Sequence, residues 1–195
     1  MTDKQTERVK AKIEKYKKAL VADKKYWGGQ YHDGQGIRYI IPEQFIKIQD
    51  YKGAIRYFNW FHKNFPGDSG DTVFLFEWTF ILFKCNSLIE AEKKAQQTFF
   101  SNIYLFDKFL GKEPMKLNTK ESSNWEFESL ENSFPYSSLN TEFFEFSNWI
   151  NKILNTQTFR EKATAFINLE RKLIDEPAGQ KRTELINKIE RIKYS

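Results

Sequence analysis

The stretch Asp50–Asp68 reads DYKGAIRYFNWFHKNFPGD, and its spacing decides the fold. Ala54 is a small residue among rings: Phe58 follows four residues later, Phe61 three after that and Pro66 five after that. Recurrence at threes and fours places one apolar stripe on one helix face. The alanine points to close approach. Where two helices cross most tightly a methyl fits, and a larger side chain pushes the axes apart. Proline then closes the helix, because it lacks the N–H that a further turn needs. The stretch therefore predicts one member of a packed helical pair, with Ile41 and Phe45 on the helix before it.

A pair of that kind cannot bury its own apolar face, so a second copy should follow. Ala91 supplies it, with Ala95 four residues on and Leu75, Trp78 and Leu82 on the preceding helix. Its offset from Ala54 is 37 residues (91 minus 54). The pattern resembles the tetratricopeptide repeat, whose period is about 34 residues, over about residues 38–105. It departs from the family at two places: Pro42 in the first copy and Thr79 in the second stand where glycine is usual. The segments YHDGQGIRYIIPEQF and DYKGAIRYF also resemble a group of uncharacterised bacterial helical-repeat proteins, a likeness that implies no activity. What the repeat resemblance implies is an all-α chain of helix hairpins stacked as a short solenoid. It also implies a concave binding surface lined by the first helix of each pair. Carried over by position, that surface includes Tyr39, Glu43, Lys47, Val73, Phe76, Phe80, Phe83 and Lys84.

Outward from this core, the patterning predicts helical flanks within a single domain of residues 1–195. Val9, Ile13, Tyr16 and Leu20 recur at helical spacing and give a basic helix over 3–26, stopped at Trp27-Gly28-Gly29. Pro42 suits a first helical position, which predicts a helix from Pro42 to about Gln49. Helices are expected from Tyr51 to about Asn64, Thr72 to about Lys84 with Asp71 as cap, Leu88 to about Asn102, and Ile103 to Leu110. Residues 112–140 lose the period and read as a long acidic irregular loop anchored by Trp125, Phe127, Phe134 and Tyr136. A helical cap over 142–193 closes the chain: Glu142–Leu154, Phe159–Asp175 with Thr158 as cap, and Gln180–Lys193.

Aromatic residues make up 17% of the chain, with 19 Phe, and Pro and Gly are scarce at 5 and 9, which favours long helices over a turn-rich sandwich. Residues 1–26 hold nine Lys/Arg against four Asp/Glu, while 118–146 hold one Lys against six Glu. Three readings fit that asymmetry: a solvated charged face, a basic start that meets the acidic middle, or a basic arm that finds phosphates. The run Val73–Phe83 is too short to cross a bilayer and contains Glu77, so no membrane partner is expected. The single cysteine, Cys85, and the absence of an apolar leader in the first twenty residues point to a cytoplasmic protein. Glu77, on a helix apolar nearly all round, is expected either to pair with Arg38 or Arg56 inside the fold or to reach the surface.

Searches for chemistry return little. His32 and His62 have no metal-ligand spacing, and GGQYHDGQG is preceded by no strand and followed by no Lys-Ser/Thr pair. His32-Asp33 beside Arg38 reads as a turn-former, with Asp33 capping backbone and His32 packed on a ring, rather than as an acid–base pair. No catalytic residues, no metal and no cofactor are expected. The expected role is a non-enzymatic adaptor that binds a protein or peptide segment on an aromatic helical face. The alternative is a basic nucleic-acid-associated accessory protein. Nothing in the sequence fixes an oligomeric state.

Overall fold

A computed structural model describes residues 1–113 and 134–193. Every regular element among them is a helix. The chain divides into two compact units, Met1–Ala91 and Glu92–Ser195. Trp125, Phe127 and most of the expected acidic loop lie outside the described residues.

The first unit begins with α1, Asp3–Tyr26, which Thr2 and Gln5 open with a capping box. It ends as expected: Gly28 turns through φ 67° and the Gly29 N–H donates back to the Lys24 carbonyl at 2.8 Å. Glycine is required there because a side chain at that φ strains the backbone. α2 covers Ile37–Lys47, so it begins five residues before Pro42, and the proline is interior rather than first. The N-cap is Gly36, and Asp33, three residues before it, accepts the Ile37 and Arg38 N–H groups with its two carboxylate oxygens at 2.9 and 3.0 Å. Pro42 leaves the Arg38 carbonyl, four residues back, without its helical donor. The Tyr57 hydroxyl donates to that carbonyl at 2.6 Å, so a neighbouring helix supplies the bond that the proline removes.

α3 is Tyr51–Asn64, with the bounds the spacing predicts, and Asp50 caps it by accepting the Gly53 N–H at 2.8 Å. α4 is Thr72–Lys84, capped by Asp71 and closed at Asn86, which turns through φ 59°. α1 packs on α2, α2 on α3, and α4 on both α2 and α3. Ala54 and Ala91 have no exposed surface. α4 is buried along most of its circumference, from Phe74 to Leu82 with only Trp78 half-exposed, as its apolar pattern requires. Phe58 stacks face to face on Trp78 with centroids 4.4 Å apart, and Phe74 meets Phe58, Phe61 and Trp78.

α5, Leu88–Ser101, crosses from the first unit into the second. In the second unit α6 (Leu105–Phe109) stops at Gly111, a 3-10 turn over Thr141–Phe143 leads into α7 (Phe144–Leu154), and α8 (Gln157–Ile174) and α9 (Gln180–Lys193) follow. α8 is capped by Thr156 rather than Thr158. The extended backbone of Thr156 lets its hydroxyl accept the Phe159 N–H at 3.3 Å, whereas Thr158 is already inside the first turn. Phe100, Phe166 and Ile189 form a core that joins the end of α5 to the α8–α9 pair. A second aromatic group, Phe109, Phe143 and Phe146, joins α6 to α7, and Tyr136 packs on it. Arg182 closes α8 by donating to the Leu173 and Glu176 carbonyls at 2.6 and 2.8 Å. No helix among the described residues is long and apolar enough to cross a membrane.

Candidate functional site

Two constellations in the first unit bring polar and aromatic groups together, and they differ in what they leave available. The first is a clasp between turns. Asp23 of α1 accepts the His32 and Asp33 N–H groups at 2.8 and 3.0 Å, which fixes the turn that presents Asp33 to α2. Asp33 and Asp68 share the Arg38 guanidinium at 2.9 Å each. The Tyr39 hydroxyl donates to Asp68 at 2.7 Å and accepts from Arg38 at 2.9 Å, and Asp68 also accepts the Gly70 N–H. Burial pushes the Asp68 carboxyl up, but the Gly70, Tyr39 and Arg38 donors outweigh it and hold the group below its ordinary value. Burial and the bond to Asp68 push the Tyr39 phenol up to about 12. The donors and acceptors of this clasp bond one another, so it ties the α1–α2 turn to the α3–α4 turn. His32 stacks on Trp27 with centroids 4.8 Å apart, as the turn-forming reading expects.

The second constellation is a groove between α1 and α3, with a volume of about 570 Å³. Its α1 wall is Lys10, Ile13, Glu14, Lys17 and Val21; its α3 wall is Gly53, Arg56, Tyr57 and Trp60; Phe45 of α2, Ile48 just past its end and the cap residue Asp50 form the floor. Local sequence builds each wall. Residues separated by three and four lie on one helix face, and both walls keep that spacing. Gly53 is demanded by the floor, since a Cβ there would lie 2.1 Å from the Asp50 carboxylate and 2.8 Å from the Phe45 ring. Charge sits at the rim. Lys17 pairs with Glu14 at 3.0 Å and lies 5.5 Å from the centroid of Phe45, and Lys10 pairs with Glu7 at 2.8 Å. Arg56 is exposed and has no ion-pair partner among the described residues. A largely apolar floor beside charged groups fits the general form of a binding cleft.

The residues expected on the concave surface are dispersed. Phe76 and Phe80 have no exposed surface, which moves them from the expected binding face into the core. The reason is that α4, apolar nearly all round, is buried along most of its circumference. Tyr39 belongs to the clasp. Glu43 and Lys47 pair with each other along α2 at 2.6 Å. Phe83 is half-buried. Phe80 and Lys84 both meet the Tyr51 ring, with Lys84 Nζ 5.6 Å from its centroid. Arg38 is engaged by Asp33 and Asp68, Arg56 is exposed, and Glu77 is 2% exposed, so the carboxylate is buried rather than at the surface. Burial pushes the Cys85 thiol up, away from the reactive thiolate. Among the described residues no group of His, Cys, Asp and Glu is placed to hold a metal ion.

The groove itself escaped sequence reasoning. Its two stripes were visible separately, but nothing local says that α1 lies beside α3 across α2. The one available signal was Val21, an apolar residue outside the buried stripe of α1 and 63% exposed. Compared with known proteins, the chain matches no family model, no curated protein and no solved structure.

Proposed function

We propose that this protein is a non-enzymatic adaptor that holds a segment of another protein in the groove between α1 and α3. The observation that carries this reading is the groove's construction: Val21, Ile48 and Trp60 keep partly exposed apolar surface along it, over the buried Phe45 and Tyr57 rings and beside Lys10, Glu14, Lys17, Asp50 and Arg56. A cleft with apolar lining and a few charged groups is the general form of a binding site. A catalytic use has less support, since the ionisable groups clustered around Arg38 are occupied with one another. In this reading α2 and α3 are the first tetratricopeptide-like hairpin and α4 opens the second. The packing of α4 on both earlier helices and the full burial of Ala54, Ala91 and Ala95 support it.

A selection of random 16-residue peptides displayed on phage, carried out on the full chain, tests the reading. Peptides should be recovered that bind the wild-type protein and lose binding to Val21→Glu, which places a charge in the groove at an exposed helix position. A selection that returns only peptides indifferent to that substitution would overturn the assignment of the groove.

A further inference from the structure

We propose that the outer face of α1 is a docking surface for an anionic lipid bilayer, which it meets side-on with the exposed rings of Tyr26 and Trp27 at one end. This face lies on the far side of α1 from its buried residues, so it works whether or not the groove holds a peptide.

The charge is local and sorted. The chain carries a net +5, and residues 1–26 hold nine Lys/Arg against four Asp/Glu, which is also +5 (nine minus four), so the rest of the chain is balanced. Within α1, at about 100° per residue, Lys4, Arg8, Lys15, Lys18 and Lys25 fall on about one-third of the helix circumference, opposite the buried Ile13 and Leu20. All five are exposed, and none has an ion-pair partner among the described residues. Ala11 and Ala22 share the face and put no bulk between the cations and a flat surface. The carboxylates of α1 are engaged or set aside. Glu7, at the edge of the face, and Glu14 hold Lys10 and Lys17 at 2.8 and 3.0 Å. Asp23 accepts the His32 and Asp33 N–H groups, and Asp3 sits in the first turn, where the helix dipole favours it.

A row of this kind suits a plane of negative charge. Lys4 to Lys25 is a rise of twenty-one residues (25 minus 4), or about 31 Å at about 1.5 Å each. Cations on one face of a straight helix meet a flat anionic surface together, each strengthening the contact about fivefold. The rings favour lipid over other polyanions. Tyr26 is 82% exposed and Trp27 50%, and they follow directly on Lys24 and Lys25. Such side chains set an apolar body in the acyl boundary and a polar tip among the headgroups. A nucleic-acid strand is held instead in a basic groove with rings spaced along it, whereas here the exposed rings stand at one end of an open helix face. The shortness of Val73–Phe83 argues against a crossing segment and not against a surface contact.

Sedimentation of the full chain with phosphatidylcholine vesicles, with and without about one-third phosphatidylserine, tests the proposal. Wild type should bind the phosphatidylserine vesicles alone, and binding should fall away at about 1 M salt, where charges are screened within about 3 Å. Lys15→Gln combined with Lys18→Gln should weaken it about twentyfold, from two cations at about fivefold each. Lys172→Gln combined with Lys188→Gln removes the same charge from exposed sites on α8 and α9 and should leave binding within about twofold of wild type. Tyr26→Ala should weaken binding without changing its salt dependence. These positions are exposed, so circular dichroism should show wild-type helicity; Lys4→Gln with Arg8→Gln replaces the first pair if it does not. Absence of vesicle binding, equal binding to both vesicles, or equal loss in the two double variants overturns the proposal. So does wild-type affinity in Tyr26→Ala, and so does tighter binding to an oligonucleotide than to the vesicles, which would make the face a nucleic-acid contact.

Discussion

Pro42 sits inside α2 because Tyr57, on α3, donates the bond that the proline cannot. Removing that hydroxyl leaves a part-buried carbonyl without its partner, so Tyr57→Phe should lower stability by about 1–2 kcal/mol in urea unfolding. In a Pro42→Ala background the new N–H can reach the Arg38 carbonyl, and the loss should shrink; equal losses in both backgrounds would refute the pairing. Gly53→Ala tests the floor of the groove. Alanine gains about 1 kcal/mol in helix propensity. Against that stand about 1 kcal/mol for a displaced cap and about 1–3 kcal/mol for crowding Phe45. Net destabilisation is expected, and a stabilised variant would show that the floor yields. Asp68 sets an acid limb. Its carboxyl is held below the ordinary value in the folded state, so its contribution is present above the unfolded carboxylate range near pH 4 and is lost as pH falls through the folded value. Urea midpoints of the wild type and Asp68→Asn should therefore differ at neutral pH and converge toward pH 2; a constant gap would contradict the clasp.

At the scale of elements, most of the helices were legible and the reasons for the exceptions are physical. α1, α3 and α4 carry their stop and start signals within a turn of their ends, at Gly28, Asp50, Asp71 and Asn86. α2 defeated local reading because a proline at a helix start and a proline rescued by another helix look alike in sequence. The rescue is a tertiary contact nineteen residues away. Phe76 and Phe80 of the expected face are buried for a related reason. The repeat resemblance implies that the first helix of a pair faces a ligand, but α4 is apolar nearly all round and most of its rings are buried. Phe80→Ala should thus lose about 3–5 kcal/mol of stability, while Lys47→Ala on the surface of α2 should change stability by less than about 0.5 kcal/mol. The reverse ranking would return Phe80 to the surface.

For the whole molecule, the charge pattern separates the two partner classes. The basic first helix suggested phosphate contacts, but Lys10 and Lys17 are paired with Glu7 and Glu14, and Asp23 lies among the remaining lysines. A generic single-stranded oligonucleotide should therefore show no strongly salt-dependent binding in fluorescence anisotropy at physiological ionic strength; a steep salt slope would favour the nucleic-acid-associated reading. The groove between α1 and α3 is the feature on which the adaptor proposal stands, and methyl-resolved NMR of the full chain tests it most directly. On titration with a groove-selected peptide, the methyl resonances of Ile13, Val21 and Ile48 should shift, and those shifts should vanish in Val21→Glu. A peptide that binds the chain while leaving all three unmoved would contradict the account.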